Sequence, residues 1–377
     1  MKKAILILVF TVIMSTITQA SYAEELTPNV KSSILMEAST GEVLYENNPD
    51  EHLPIASVTK IMTMLLIMER IDSGALKFDD MVTVSENANS YGGSTMFLET
   101  GEQLSVHDMM KGIAVASAND GCVAMAEHIA GSEAGFVELM NKRAAELGMN
   151  NTVFLNTNGL DADGQYSSAR DVAIMSRELI KHEKVFEYTK IWTDSLRDGK
   201  FALANTNKLI RFYNGATGLK TGSTSKAGCC LSATAERDGM GLIAVVLGAA
   251  DTKTRFSSAS ALLNYGFSGY TVKKQIEKGE PTGVINVSKG IQKEIKTVAN
   301  SDYSVLMSRA QPIEIEKSVK LEDFVIAPVK KGDKVGEINF TQDGKITQTV
   351  DIVADEDVEK KGFCLVLMDV LYEFICG

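Results

Sequence analysis

Ser57 and Lys60 stand three residues apart in Ala56-Ser57-Val58-Thr59-Lys60, just ahead of an apolar run from Ile61 to Met68. At helical spacing their side chains lie about one turn apart on one face, so hydroxyl and amine can meet. A serine hydroxyl becomes a nucleophile when a base takes its proton, and a neutral lysine amine is such a base. Lysine titrates near ~10.4, so an amine half-neutral at pH 7 must be lowered by roughly 3.4, at about 4.6 kcal/mol. Burial against the apolar run and a second nearby cation both act in that direction. Two further short signatures follow: Ser117-Ala118-Asn119, and Lys220-Thr221-Gly222 with Ser223 after it. The first adds a hydroxyl and an amide, the second a cation and a hydroxyl beside a glycine.

These groups are far apart in the chain, so the fold has to assemble them. Ser32 to Glu37 and Glu42 to Glu46 form a hairpin pattern around Ser39-Thr40-Gly41. From Ser57 to about Ile210 the pattern is mostly helical, with loops at Tyr91-Gly92-Gly93-Ser94 and Asn156-Thr157-Asn158-Gly159-Leu160. Met109 to Ile129 and Gly135 to Leu147 carry apolar residues at helical spacing, with Gly148 as a stop signal and the Ser117 motif near a helix end or connector. Strands return at Gly215 to Gly222, Cys229 to Glu236 and Leu242 to Leu247, with a turn at Arg237-Asp238-Gly239, and Thr252 to Tyr265 reads as a helix. The predicted fold class is α/β, or layered α+β: an antiparallel sheet flanked by helices, with a large helical insertion. After about Gly269 short β-like runs take over and predict a small all-β sandwich or barrel without chemistry of its own.

The two ends differ from the rest. Lys2-Lys3, the apolar stretch from Ala4 to Met14 and the small-residue site Ser21-Tyr22-Ala23 form a secretory signal pattern over 1–23, too short for a comfortable span of ~20 apolar residues. Phe363 to Cys376 predicts an amphipathic helix of ~21 Å, short of the ~30 Å hydrocarbon core, with Asp369 and Glu373 on one face. It is expected to lie in the surface of a membrane, the competing reading being a helix docked on its own domain. A net charge of −11, more negative still without Lys2 and Lys3, removes the electrostatic case for nucleic acid. The five cysteines do not make a disulfide framework, and Cys229 and Cys230, adjacent on a strand, should face opposite ways. Cys122 reads as a small buried hydrophobe. The four histidines are scattered and no ligand spacing is present, so neither metal nor cofactor is expected.

The three signatures in this order match the S-x-x-K, S-x-N and K-T-G set of acyl-transfer enzymes with an active-site serine. The chain resembles the low-molecular-weight (class C) penicillin-binding proteins that act as serine-type D-alanyl-D-alanine carboxypeptidases, within the serine β-lactamase-like superfamily. The likeness extends to Gly93-Ser94-Thr95-Met96-Phe97-Leu98, Met140-Asn141, Leu147-Gly148-Met149, Ser168-Ala169-Arg170-Asp171 and the stretch from Lys220 to Gly228. Asn158, where many relatives carry another residue, and Thr206, where some carry arginine, depart from the pattern.

The resemblance implies that Ser57 attacks the carbonyl between two D-alanines with Lys60 as base. Ser117 relays a proton to the departing amine, and Asn119 binds the peptide and orients Lys60. Lys220 and Thr221 take the substrate carboxylate, Gly222 leaves room for the substrate beside the strand, and the N–H groups of Ser57 and Ser223 form the oxyanion hole. It also implies peptidoglycan stem peptides as substrate, β-lactams as covalent inhibitors of Ser57, and an exported protein at the outer face of the membrane. The expected divisions are 1–23 signal, 24–268 catalytic domain, 269–360 β-domain and 361–377 membrane-associating tail. The alternatives are a β-lactamase, for which Glu146 and Asn150 offer a Glu-x-x-x-Asn pattern, and a non-catalytic penicillin sensor or wall-binding protein.

Overall fold

The computed structural model of the chain describes residues 26–363, 365 and 367. The signal segment 1–23, and most of the tail helix from Phe363 to Cys376, lie outside the described residues.

The strands that build the first sheet are β1 (Ser32–Glu37) and β2 (Val43–Asn47). Two small ribbons follow, β3 (Met81–Thr83) with β4 (Gln103–Ser105) and β5 (Thr193–Leu196) with β6 (Phe201–Ala204). The sheet is completed by β7 (Ala216–Thr224), β8 (Gly228–Arg237) and β9 (Met240–Ala249). Its order is β2-β1-β9-β8-β7 and every neighbouring pair is antiparallel. Segments from both sides of the helical insertion thus contribute strands, and β7, which carries Lys220-Thr221-Gly222, lies at an edge.

Between β2 and β7 run α1 (Lys60–Asp72), α2 (Glu86–Asn89), α3 (Val106–Lys111), α4 (Asn119–Ala130), α5 (Glu133–Glu146), α6 (Ala169–Leu179), α7 (Phe186–Thr189) and α8 (Leu209–Phe212); α9 (Thr252–Gly269) follows β9. Period-two alternation divides β9 between two cores. Ile243, Val245 and Leu247 face the helical insertion, while Leu242, Ala244 and Val246 pack with Ala259, Leu262 and Leu263 of α9. A strand covered on both faces needs an unbroken apolar run, and Leu242 to Leu247 supplies one. Helix α1 is buried from Lys60 through Met68, apolar all round because neighbours enclose it.

The sequence shows helical spacing from Met109 to Ile129 with the Ser117 motif near a helix end or connector, and the structure has a break there. After α3 the chain makes a wide π turn over Gly112–Ala116, Ser117 takes the left-handed conformation at φ 64°, and α4 starts at Asn119. Apolar spacing continues across the break, so periodicity alone does not reveal it. The β3–β4 and β5–β6 ribbons are likewise absent from the sequence expectation, being too short for a clear period.

Beyond α9 all structure in the described residues is β, apart from the tail residues: β10 (Tyr270–Ile276), β11 (Pro281–Ser288), β12 (Glu294–Ala299), β13 (Tyr303–Ser308), β14 (Glu316–Leu321), β15 (Phe324–Ile326), β16 (Lys334–Gln342) and β17 (Lys345–Ala354). A six-stranded sheet, β14-β16-β17-β12-β11-β15, is accompanied by the ribbon β10-β13. Turns at Asp238-Gly239 and Asp343-Gly344 use paired positive φ angles, as tight hairpins require. The ribbon joins two cores: Leu306, Tyr270 and Val272 pack with the β8, β9 and α9 cluster, and Ile276 and Tyr303 with the six-stranded sheet.

Candidate active site

Ser57 lies in a 3-10 turn, Ala56–Thr59, that leads into α1. Ala56 before it has φ 47°, a conformation that alanine adopts only where the surroundings enforce it. Two glycines from distant segments do so. A Cβ on Gly159 would lie 1.9 Å from the Ala56 carbonyl oxygen, and one on Gly222 would lie 2.7 Å from Ile55 O and 2.9 Å from Ser57 N. Gly222 has no room for a side chain because the backbone of the Ser57 turn occupies the space. The sequence expectation gave another reason for this glycine, room for the substrate beside the strand.

Lys60 is fully buried and donates from Nζ to Ser57 Oγ at 2.9 Å, Asn119 Oδ1 at 2.7 Å and the Asn158 carbonyl at 2.6 Å. Asn119 sits at the first position of α4. Its amide Nδ2 donates to Gly92 O at 2.7 Å and its backbone N–H to Ser94 O at 2.7 Å, so both ends of the side chain are committed. The next residue, Asp120, accepts from the backbone N–H groups of Met96 and Leu98 and anchors the loop that carries Gly92 and Ser94. Ser117, on the turn before α4, is 4% exposed.

Burial lowers the Lys60 ammonium to about 8, partly opposed by Cys122 and Asp120. About a tenth of the amine is then neutral at pH 7, less than the half that the sequence argument asked for. Lys220, equally buried, is pushed down by burial first, then by the charge of Lys60 and by Arg255. The charge of Lys60 thus disfavours the ammonium form of Lys220. The sequence expectation named burial and a second cation as causes; burial is the leading one for Lys60, and the repulsion between the lysines is felt at Lys220.

Lys220 and Gly222 are two apart on β7 and share the face toward the Ser57 turn. Lys220 Nζ donates to Thr221 O at 3.0 Å, and Thr221 Oγ1 is 2.6 Å from Thr206 Oγ1. Ser223 is exposed at the end of the motif, opposite Cys229 in the ladder. Cys230 is buried and Cys229 half-buried, on opposite faces as their adjacency predicts; both, with the buried Cys122, are free thiols.

All eight sequence-designated residues thus belong to the Ser57 turn, the start of α4 and the edge strand packed on that turn. Three contributors were not designated. Asn158 and Gly92 act through backbone carbonyls, which no residue type reveals; the glycines beside them, Gly159 and Gly93, were the available signal. Arg255, buried on α9, donates from Nη1 to Gly222 O and Cys230 O, and its Nε has no partner. Glu146, the acid of the lactamase alternative, is instead on the outer surface, with Arg143 and Lys142 beside it.

A turn-borne hydroxyl on a buried, partly neutral amine, next to a cationic edge strand, suits attack on a carbonyl of a peptide that ends in a carboxylate. The chain matches the family model described as D-alanyl-D-alanine carboxypeptidase over residues 18–251, and the one described as penicillin-binding protein 5, C-terminal domain, over residues 270–360. It is 42% identical to the D-alanyl-D-alanine carboxypeptidase DacF of Bacillus subtilis over 374 residues, 96% of either chain. Among solved structures it resembles penicillin-binding protein 5 from Haemophilus influenzae, with a TM-score of 0.71 and 33% identity, over 88% of this chain and 98% of that one. Penicillin-binding protein D2 from Listeria monocytogenes in its ampicillin-bound form matches with a TM-score of 0.58 and 34% identity, over 63% of this chain and 98% of that one.

Proposed function

The chain belongs to the D-alanyl-D-alanine carboxypeptidase family of serine peptidases, and from that premise we propose that Ser57, Lys60, Ser117 and Asn119 carry the reaction while Lys220, Thr221, Gly222 and Ser223 hold the substrate. The enzyme is a hydrolase that removes the terminal D-alanine from peptidoglycan stem peptides, and it binds β-lactams.

Neutral Lys60 takes the Ser57 proton as Oγ attacks the carbonyl between the two D-alanines. The N–H groups of Ser57 and Ser223 receive the oxyanion, and Ser117 passes a proton to the departing D-alanine amine. Water then releases the acyl group from Ser57. The substrate carboxylate lies against Lys220 and Thr221, where its charge favours the ammonium form of Lys220 and so leaves Lys60 as the neutral member of the pair. The observation that carries this reading is the triple contact of Lys60 Nζ with Ser57, Asn119 and Asn158.

The exported protein is held at the outer face of the membrane by its tail. Support comes from Phe363, Leu365 and Leu367, which are helical and exposed. Among the described residues no helix is long and apolar enough to cross a membrane.

Free D-alanine release from a D-Ala-D-Ala peptide, measured beside labelling by fluorescent penicillin, tests the assignment. Ser57→Ala is expected to abolish both. Labelling that persists places the nucleophile elsewhere, and labelling of the native enzyme without D-alanine release favours a sensor.

A further inference from the structure

Helix α5 begins at Glu133, behind the cap Ser132, whose hydroxyl accepts from Gly135 N–H. An acidic residue in a first turn ordinarily faces solvent and complements the helix dipole. Glu133 does more, since both of its oxygens are taken by groups outside the helix. Oε1 accepts from the backbone N–H of Thr157 at 3.2 Å and from its hydroxyl at 2.9 Å, and Oε2 accepts a short hydrogen bond from the Tyr91 hydroxyl. Tyr91 and Thr157 belong to two separate loops, 91–94 and 156–160, and each immediately precedes a residue whose carbonyl enters the active site. Gly92 O receives Asn119 Nδ2 at 2.7 Å, and Asn158 O receives Lys60 Nζ at 2.6 Å.

Those two carbonyls determine the direction of the base. A neutral amine has two N–H bonds and one lone pair. With one N–H on Asn158 O and the other on Asn119 Oδ1, the lone pair is left for Ser57 Oγ. If Asn158 O withdraws, the amine can rotate; if Gly92 O withdraws, Asn119 can flip and present its NH2 end to the amine. We infer that Glu133 is a positioning residue for acyl transfer, clasping the two loops so that their carbonyls aim the Lys60 lone pair at Ser57. The inference rests on the assignment of Lys60 and Asn119 proposed above. Burial and the bond to Glu133 both raise the Tyr91 hydroxyl above its usual range, so the clasp keeps its phenol proton throughout the working pH range.

The test compares Glu133→Ala, Glu133→Gln and Tyr91→Phe in the full enzyme for D-alanine release and penicillin acylation, with Tm recorded for each. Glu133→Ala is expected to lower kcat by about tenfold to a hundredfold, the scale of a misplaced reacting group, with KM within about twofold because Lys220 and Thr221 are untouched. Glu133→Gln should recover most of the loss, since its amide oxygen still accepts from Thr157 and its NH2 can donate to the Tyr91 oxygen. Tyr91→Phe, which removes a single bond, should cost several-fold and serves as the probe if Glu133→Ala does not fold. Unchanged kcat in Glu133→Ala, or in a folded Tyr91→Phe, overturns the role, as does a loss confined to KM or an equal loss in Glu133→Gln. Failure of this inference leaves Ser57→Ala inactive; failure of the underlying assignment leaves Ser57→Ala still able to form the penicillin adduct.

Discussion

At the scale of single residues the proposed chemistry depends on one amine kept in an apolar interior. Lys60 is enclosed by α1 and its neighbours, and its loss of hydration lowers the ammonium to about 8. A general base works in its deprotonated form, so the sign is fixed: activity is held back below that value and rises as pH passes through it. Acylation by a fluorescent penicillin should increase close to tenfold per unit between pH 6 and 7 and level off above about 8.5. Stopped-flow rates across that range check it, and a flat profile would remove Lys60 from the role of base. Burial and the Lys60 charge lower the Lys220 ammonium well below the ordinary lysine range.

At the scale of elements, the catalytic turn is held in shape by close approach of backbone to backbone. The edge strand β7 and the loop 156–160 press on the Ser57 turn through Gly222 and Gly159, where even a methyl group has no room. Gly222→Ala would bring a Cβ against backbone atoms of Ile55, Ser57 and Val58, none of which can swing aside as a side chain could. The expected outcome is a stability loss of about 1–3 kcal/mol by urea unfolding, with acylation slowed at least tenfold because the turn shifts. Gly159→Ala adds an unfavourable φ of 84° to a more severe overlap and should be the worse of the two. Normal acylation in Gly222→Ala would mean that the turn is less tightly held than these distances require.

At the scale of the whole molecule, the catalytic half and the all-β half share the ribbon β10-β13, which places Leu306 in one core and Ile276 in the other. The proposed active site and the proposed surface attachment sit at separate places on the chain, so each can be tested without the other. Deleting residues 361–377 should move the protein from the membrane fraction to the soluble fraction and leave D-alanine release within about twofold of the intact enzyme. Unchanged fractionation would make the tail ordinary structure.

Short-range spacing was enough to place Ser57 and Lys60 on one face, because three residues of helical chain leave little freedom. The unbroken apolar run of β9, the hairpin turn at Asp238-Gly239 and the stop at Gly148 were legible for the same reason: backbone preference and burial periodicity act locally. The order of the motifs, together with the residues around them, pointed to the family and so to the reaction. Only the tertiary structure decided that a π turn and a left-handed Ser117 interrupt the run from Met109, since neighbouring loops, not local propensity, hold Asn119 and Asp120. It also decided that burial leads the lowering of Lys60, that Arg255 lies beneath β7, and that the carbonyls of Gly92 and Asn158 complete the site. Every residue carries a carbonyl, and desolvation depends on what closes over a group from remote parts of the chain, so neither is written in the identity of the residue concerned.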